Sequence, residues 1–361
     1  MLKIIDHPYE PEQVIKSNQA KIKKALAKKD KVIVFHSEGF VHGRLANIKG
    51  VQYMVMKELG KRKDLAAKVV QPSAETQALI KLWGTPIYGK LGVCAPRWQA
   101  KRVAYIHWMP CGGGLQPIEI FHLNMLWAFN AGDFFDEIHV RVAGDGHLPD
   151  NVFTALRTAL GGKAKLDIKG IVNSDTWEWG TYNEFLGAAK KGVDFYYLHF
   201  KGTSHSPGSA RNTNSIFYDY GNFKGIAFWS YLMYIALFTI QPTASKPAVC
   251  GLLHENPAWT EKIGWDVRPY HASGSFQAYS GNALVSRQPI TKRMLERAKQ
   301  ATSYMRYTVE GMMTFLFDKD EIARLCYTIQ RNTGMYTDLH KVFPQWYEAF
   351  RKGPEYLICK R

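Results

Sequence analysis

The chain has 361 residues, of which 46% are hydrophobic and 13% are aromatic, and its formal net charge is +16 at pH 7. The composition excludes a disordered chain, and the length favours one large α/β domain with additions or two domains that share a cleft. The charge favours a polyanionic partner such as nucleic acid, anionic lipid headgroups or phosphorylated small molecules, with solubilising helix faces as the alternative.

The cysteine pattern and the apolar segments indicate a cytoplasmic protein. The five cysteines lie far apart and form no CxxC pair, which favours a reducing compartment over a disulfide framework. The first residues, MLKIIDHPYEPEQ, contain no apolar signal core. The longest apolar run, residues 225–240, is shorter than the roughly 18 residues of a membrane span. We therefore expect a buried helix there and no transmembrane segment.

Residues 1–98 are predicted to form a small basic α/β unit. A basic helix is expected from about Glu12 to Ala27, a strand from Lys31 to Gly39, and a further helix around residues 46–62 from the spacing of its apolar residues. Five side chains of this unit are candidates for contacts with nucleic-acid phosphates: Lys21, Lys24, Lys28, Lys61 and Arg62.

Strands and helices alternate through the second region, residues 99–288. Strands are predicted at 102–109, 137–144, 165–173 and 194–200, and helices at 118–132, 151–162 and 181–192. This alternation predicts an α/β fold with a Rossmann-type, mostly parallel sheet flanked by helices. Beyond the apolar helix we expect a strand at 247–257, a strand or hairpin at 274–287, and a helical C-terminal extension, residues 289–361, that packs on the core.

Polar segments follow the four alternating strands: HWMPCGGG, AGDGH, NSDTWEWG and HFKGTSH. Ligands of parallel sheets bind outside the carboxyl ends of the strands. The predicted topology therefore gathers several polar side chains along one edge of the sheet: His107, Asp145, His147, Asp175, Glu178, His199 and Lys201.

Two of these segments favour a phosphate ligand. PCGGGLQP is either a phosphate-cradling loop or a flexible turn, and it matches neither GxGxxG nor GxxxxGK[ST], so Walker-type ATP binding is unsupported. In HFKG, Lys201 can neutralise a diphosphate, His199 can hydrogen-bond it or ligate a metal ion, and Gly202 permits close approach of the backbone. A core histidine beside a surface lysine is the alternative. The sequence has no HExxH motif, and it does not decide whether a divalent ion binds to the diphosphate.

Carboxylates further along the chain are candidates for a general base, which needs only hydrogen-bond reach to an acceptor hydroxyl. They are Glu255 in LLHENP, Asp266 in GWDVRPYH and Asp219 in FYDYGN. Helix capping or a salt bridge is the alternative role of each.

Together these segments resemble a family of bacterial and viral glycosyltransferase-like proteins with an A-type (GT-A) nucleotide-sugar fold. The resemblance rests on YYLHFKGTS (Tyr196 to Ser204), the aromatic helix AFWSYLMYIALF (Ala227 to Phe238), and YHASGSFQAYSGNALVSR (Tyr270 to Arg287). It extends over roughly residues 102–287. It departs from the family after SGN, where aromatic residues are usual and this chain has ALVSR. A-type enzymes usually hold a metal ion with a DxD motif, and the family has HxK in its place.

The resemblance implies transfer of a sugar from a nucleoside-diphosphate sugar, expected to be a UDP-sugar, with Mn²⁺ or Mg²⁺ left open. It implies that the donor is bound by His107, Asp145, Glu178, Thr181, His199, Lys201 and Gly202. Candidates for the catalytic groups are Asp266, Glu255 and His271. Candidates for contact with the sugar or acceptor are Asn282 and Ser280.

The charge leads us to favour a polyanionic acceptor, specifically DNA with hydroxyl-bearing modified bases that are flipped from the duplex. A lipid-linked or cell-surface glycan at an anionic membrane surface is the closest alternative. A second class of function is a nucleic-acid-binding protein without catalytic activity on a transferase-like scaffold. The expected location is the cytoplasm of a bacterium or of a virus-infected host.

Overall fold

A computed structural model of the chain describes residues 2–7, 31–36, 74–86, 100–110, 115–144, 146–172, 178–203, 221–255, 270–293, 305–329 and 339–354. The chain divides into two compact units, Met1–Gln71 with Ser204–Asp219, and Pro72–Thr203 with Tyr220–Arg361. In the first unit, strands β1 (Leu2–His7) and β2 (Lys31–His36) pair in parallel. The predicted basic helix and the five candidate phosphate-binding side chains lie outside the described residues.

The second unit contains the following strands: β3 (Lys101–Trp108), β4 (Glu137–Gly144), β5 (Lys165–Val172), β6 (Val193–His199), β7 (Ala248–Glu255), β8 (Tyr270–Ala272), β9 (Gln277–Ser280) and β10 (Ile322–Ile329). Its helices are α1 (Ala74–Trp83), α2 (Pro117–Ala128), α3 (Ala131–Phe134), α4 (Asp150–Ala159), α5 (Trp179–Gly187), α6 (Gly221–Thr239), α7 (Gly281–Ser286), α8 (Met305–Leu316), α9 (Leu339–Val342) and α10 (Pro344–Lys352).

These strands form one mixed sheet in the order β10-β7-β9-β6-β3-β4-β5, and β8 pairs with β7 outside this path. Strand β9 is antiparallel to both neighbours and β8 is antiparallel to β7, whereas all other pairs are parallel. The predicted α/β architecture, a mostly parallel and Rossmann-like sheet flanked by helices, is confirmed. Strands β6 and β7 are buried along nearly their whole length, as expected for strands covered by helices on both faces.

The sheet separates two hydrophobic clusters because successive side chains of a strand point to opposite faces. In β3, Ala104 and Ile106 join one cluster, and Val103 and Tyr105 join the other. Helix α6 belongs to the first cluster and is buried on nearly all sides, which explains why its sequence is apolar without a polar face. Among the described residues, no helix combines the length and the hydropathy that crossing a bilayer requires.

Two expected boundaries differ from the structure. Helix α1 falls within the expected unit 1–98, yet it packs in the second unit, where Trp83 stacks on Phe350 and its Nε1 donates to the carbonyl of that residue (2.9 Å). The C-terminal extension is not entirely helical, because β10 lies within it and extends the sheet beside β7. The eight residues of β10, IARLCYTI, are a short and mostly apolar run, which periodicity alone does not distinguish from a buried helix segment.

The segment 274–287 was expected to form a strand or hairpin. It forms β9 and then turns directly into α7. Within the C-terminal extension 289–361, Tyr347 and Phe350 of α10 pack in the first hydrophobic cluster.

Candidate functional site

Two histidines near the carboxyl ends of the central strands β3 and β6 are neighbours across the sheet. His107 of β3 and His199 of β6 are in register in the parallel ladder, and their ring centroids are 5.7 Å apart. The His107 Nδ1 atom hydrogen-bonds the hydroxyl of Thr181 at 2.9 Å. Helix α5 thereby supplies a partner that fixes one ring, and the pair marks the carboxyl edge of the sheet.

Glu178 organises the groups next to this histidine pair. Its buried carboxylate lies 3.3 Å from Nδ1 of His199 and accepts hydrogen bonds from the hydroxyls of Tyr197 (3.2 Å) and Ser275 (3.1 Å). The residue immediately precedes α5, where the free backbone N–H groups and the helix dipole favour a negative charge. Glu178 is therefore a buried carboxylate, fixed by two hydroxyl groups, that lies beside the ring of His199.

Ser275 reaches Glu178 through an unusual backbone conformation. Its φ is +62°, in the left-handed region that non-glycine residues rarely occupy, and Gly274 before it has φ +74°. A Cβ atom on Gly274 would lie 1.7 Å from the Trp229 ring. Backbone strain of this kind persists where the surrounding structure enforces it, and such positions cluster at functional sites.

The backbone turn after β6 is hydrogen-bonded to a buried histidine of helix α2. His122 donates from Nε2 to the carbonyl oxygen of Lys201 (2.9 Å) and accepts at Nδ1 from the Tyr234 hydroxyl (3.0 Å). Burial lowers the pKa of His122 to about 3, against which the bond to Lys201 acts only weakly. The ring is thus neutral at pH 7. The next residue, Gly202, has φ +87°, and a Cβ atom there would lie 2.5 Å from Cγ2 of Ile226.

The side chain of Lys201 forms an ion pair with a glutamate of helix α8. Its Nζ lies 3.5 Å from Oε1 of Glu310, and both side chains are only 12% exposed. His254 and His271 are opposite each other on β7 and β8, with ring centroids 5.1 Å apart. Burial lowers the pKa of His254, and it lowers that of His271 to about 4 although Glu310 acts in the opposite direction for both. Both imidazoles are neutral at pH 7.

Seven of the residues expected at the site lie at this edge in the structure: His107, Glu178, Thr181, His199, Lys201, Gly202 and His271. Glu255 ends β7 at the same edge, opposite Tyr270. Asp145, Asp175, Asp219 and Asp266 lie outside the described residues.

Ser280 and Asn282 are separated from these residues. Ser280 pairs with Asp194 at the start of β6, and the Asn282 side chain accepts a hydrogen bond from the backbone N–H of Gly192 (3.1 Å). Strand β9 runs antiparallel to β6, so its end lies at the amino edge of the sheet. A role for Ser280 and Asn282 at the carboxyl edge is therefore not supported.

Several residues of the site carry no sequence signal that would have identified them. Glu310 and His122 lie within helices, and Ser275 lies in a short 3-10 turn. His254, beside Glu255 in LLHENP, and Ser275, in YHASGSFQAYSGNALVSR, stand in segments that the sequence already indicated. Contacts between residues 74 or more positions apart bring these groups together.

A separate polar cluster lies at strands β4 and β5, at one end of the strand order of the sheet. Among the described residues, His139, Asp167 and Glu184 have potential metal ligands within 4.8 Å of one another. The guanidinium of Arg141 already bridges both carboxylates, with Nη2 at 2.9 Å from Asp167 and 2.5 Å from Glu184. Desolvation acts to raise the pKa of Asp167, but hydrogen bonds from His139, Arg141 and Lys169 outweigh it and lower the pKa to about 2. The cluster is best described as a salt-bridged network.

The carboxyl edge thus combines the ammonium group of Lys201 with the imidazoles of His107, His199, His254 and His271 and the carboxylates of Glu178, Glu255 and Glu310. Such an arrangement is suited to holding an anion, because the ammonium supplies positive charge and hydrogen-bond donors. Comparisons of the chain with protein-family models, with curated proteins and with solved structures find no significant match.

Proposed function

We propose that this protein is a glycosyltransferase that moves a sugar from a nucleoside-diphosphate sugar to an acceptor hydroxyl, with the donor bound at the carboxyl edge beside Lys201. The proposal rests on the point in the sheet at which the order of successive strands reverses. From β3 the chain adds β4 and β5 on one side, and it then returns to place β6 on the other side of β3. Ligands of open α/β sheets bind at such a switch point. His107, one residue before the end of β3, and His199, at the end of β6, lie on the two strands that flank it.

The strand order supports a nucleotide ligand. Taken in chain order from β3, the first four strands lie in the order 3-2-1-4, which matches the first four strands of the nucleotide-binding Rossmann order 3-2-1-4-5-6. The antiparallel strand between the fourth and fifth parallel strands is compatible with the A-type fold that the sequence resembles. Fold alone does not determine function, so the proposal depends on the chemistry of the edge.

That chemistry suits the departure of a nucleoside diphosphate. As the bond between the anomeric carbon and the β-phosphate oxygen breaks, its electron pair leaves with the diphosphate. The Lys201 ammonium stabilises the added charge where a metal ion would do so in DxD enzymes. His199 lies two residues before Lys201 at the same edge, with Nδ1 3.3 Å from the Glu178 carboxylate. The acceptor oxygen bonds to the anomeric carbon and its proton passes to a base, for which Glu255, Asp266 and His271 are the candidates.

The distribution of charge favours a polyanionic acceptor. The first compact unit has 16 Lys and Arg residues and 8 Asp and Glu residues, so its formal net charge is 16 − 8 = +8. This is half of the net charge of the whole chain, +16. Basic surface of this kind raises both the encounter rate and the affinity for DNA. We favour DNA that carries hydroxylated bases as the acceptor. The alternative acceptor is a glycan at an anionic membrane surface.

The donor site is tested by thermal shift and calorimetry with UDP, GDP, ADP, CDP, dTDP and their sugars, with and without Mg²⁺ or Mn²⁺. A ligand that binds only the folded protein raises its melting temperature. We expect one nucleoside diphosphate to bind the wild type, and Lys201→Met to weaken it at least about tenfold, the loss of one charge-assisted contact. The matched control is Lys191→Met, because Lys191 is exposed in the turn before the same strand.

Transfer itself is tested with the bound sugar nucleotide and either hydroxymethylated DNA or a glycan acceptor. Loss of sugar transfer in Lys201→Met with intact DNA binding would support the enzyme. A protein that binds DNA but no nucleotide, under either metal condition, would overturn the transferase and favour the binding-only function.

A further inference from the structure

Lys201 has an anionic partner at the place where the donor is proposed to bind. The Nζ of Lys201 lies 3.5 Å from Oε1 of Glu310, and the two side chains are almost equally buried. Buried charges are costly unless they are paired, so each of these groups stabilises the charged form of the other. A ligand that takes Lys201 as its own counter-ion must therefore compete with this carboxylate.

Glu310 is held in place by the helix that carries it. The buried amide of Gln277 donates to the carbonyl oxygen of the preceding residue, Val309 (2.8 Å). At the end of the same helix, the guanidinium of Arg287 donates from Nε to the carbonyl of Leu316 (2.8 Å). Helix α8 is thus tied to the sheet and to α7 at two points, and the position of the Glu310 backbone is fixed.

The neighbouring imidazoles do not neutralise Glu310. His254 and His271 both interact electrostatically with it, yet burial keeps both rings uncharged at pH 7. Any phosphate that approaches Lys201 therefore also approaches the negative charge of Glu310 in a weakly screened environment.

Resting on the proposed function, we infer that Glu310 is the counter-ion that the donor diphosphate displaces from Lys201, and that it sets the affinity of the donor site. The exchange needs no covalent step, because the Lys201 ammonium stops donating to an oxygen of Glu310 and donates to an oxygen of the diphosphate instead. Glu310 limits capture of anions too weak to displace it, and it opposes retention of the product diphosphate after transfer. It acts on binding and release and is a specificity-determining residue.

The test is calorimetric titration of the wild type, Glu310→Gln and Glu310→Ala with inorganic pyrophosphate and with UDP, GDP, ADP, CDP and dTDP. The glutamine variant keeps the size of the side chain and removes its charge. The matched control is Glu348→Gln, because Glu348 lies on α10 with a side chain that is 59% exposed. Melting temperatures of all four proteins establish that each is folded.

We expect Glu310→Gln to tighten the binding of the diphosphate at least about threefold, as removal of one nearby like charge predicts, with no change in Glu348→Gln. Unchanged or weaker binding in both Glu310 variants, with a diphosphate still bound by the wild type, would overturn this inference and leave the proposed function standing. If no protein of the set binds a diphosphate or pyrophosphate, the proposed function and this inference both fall.

Discussion

His122 and Lys201 are joined by a hydrogen bond across 79 positions of the sequence, from the buried imidazole Nε2 to the carbonyl oxygen at 2.9 Å. The bond connects helix α2 to the turn after β6. Because the carbonyl only accepts and the opposite ring nitrogen faces the Tyr234 hydroxyl, the ring is fixed in one tautomer. The polar turn at the edge is thereby fixed by the core beneath it.

Replacement of His122 by Phe should lower both stability and ligand binding. The Lys201 carbonyl and the Tyr234 hydroxyl would each lose a partner in a buried place, at a cost of about 1–3 kcal/mol in the free energy of unfolding. Denaturant unfolding measures this change in stability. Titration with the nucleotide that the wild type binds measures the loss of affinity that follows if the turn at Lys201 is displaced. Tyr234→Phe is the matched control, since it removes one bond to the ring but keeps the bond to Lys201. Equal losses of nucleotide affinity in the two variants would contradict a positioning role.

Gly202→Ala should destabilise the protein more than Gly192→Ala. Both glycines have positive φ, +87° and +75°, but a Cβ at Gly202 meets Ile226 at 2.5 Å whereas a Cβ at Gly192 meets open space. The backbone cost, about 1 kcal/mol or more, is common to both. The difference between the two variants in the free energy of unfolding therefore measures the cost of the clash with Ile226. When Ile226→Ala is added to Gly202→Ala, this part of the cost should be relieved. Similar stabilities of the two single variants would refute this account.

Arg141→Met should be among the more damaging changes of a single charge. Arg141 is 4% exposed and bridges Asp167 and Glu184. Its removal leaves the carboxylates of Asp167 and Glu184, whose side chains are 27% and 43% exposed, next to each other. Because solvent screens part of their repulsion, we expect a cost of about 1–3 kcal/mol in the free energy of unfolding. Adding Glu184→Gln to Arg141→Met should restore part of the loss in denaturant unfolding. If the second change makes the protein still less stable, the carboxylates do not repel each other in the single variant.

His271 should make the protein lose stability in mildly acidic solution. Its pKa is about 4 in the folded chain against an ordinary value of 6.5. Between these values the unfolded chain binds a proton that the folded chain does not, so the free energy of unfolding falls as pH falls from 6.5 towards 4. His271→Gln should reduce this slope by up to about 1.4 kcal/mol per pH unit. Identical slopes for variant and wild type, from unfolding measured at several pH values, would contradict the prediction.

Asp194 should act with the opposite sign. Burial raises its pKa to about 6 from 3.8, although a hydrogen bond with Gln241 and the charge of Arg102 act to lower it. The folded chain then holds a proton that the unfolded chain has lost, and stability from this group declines as pH rises from 3.8 to 6. Asp194→Asn should therefore gain stability relative to the wild type as pH rises through this window. A constant difference between the two proteins would count against it.

The sequence determined most of the sheet and part of the site. Strand β4 begins and ends where its apolar pattern predicts, and β3, β5 and β6 agree within a residue or two. Burial of a strand on both faces requires a continuous apolar run, and this requirement is local to the sequence. Because polar residues follow such strands directly, the meeting of His107, His199 and Lys201 at one edge followed from topology alone.

Tertiary structure alone decided what surrounds these residues. Glu310, His122, His254 and Ser275 reach the edge from elements distant in sequence, and no local pattern records which helix will pack over which strand. The antiparallel direction of β9 likewise placed Ser280 and Asn282 at the amino edge. Strand direction and helix packing depend on the burial of whole faces, which is a property of the assembled sheet and cannot be read from a segment by itself.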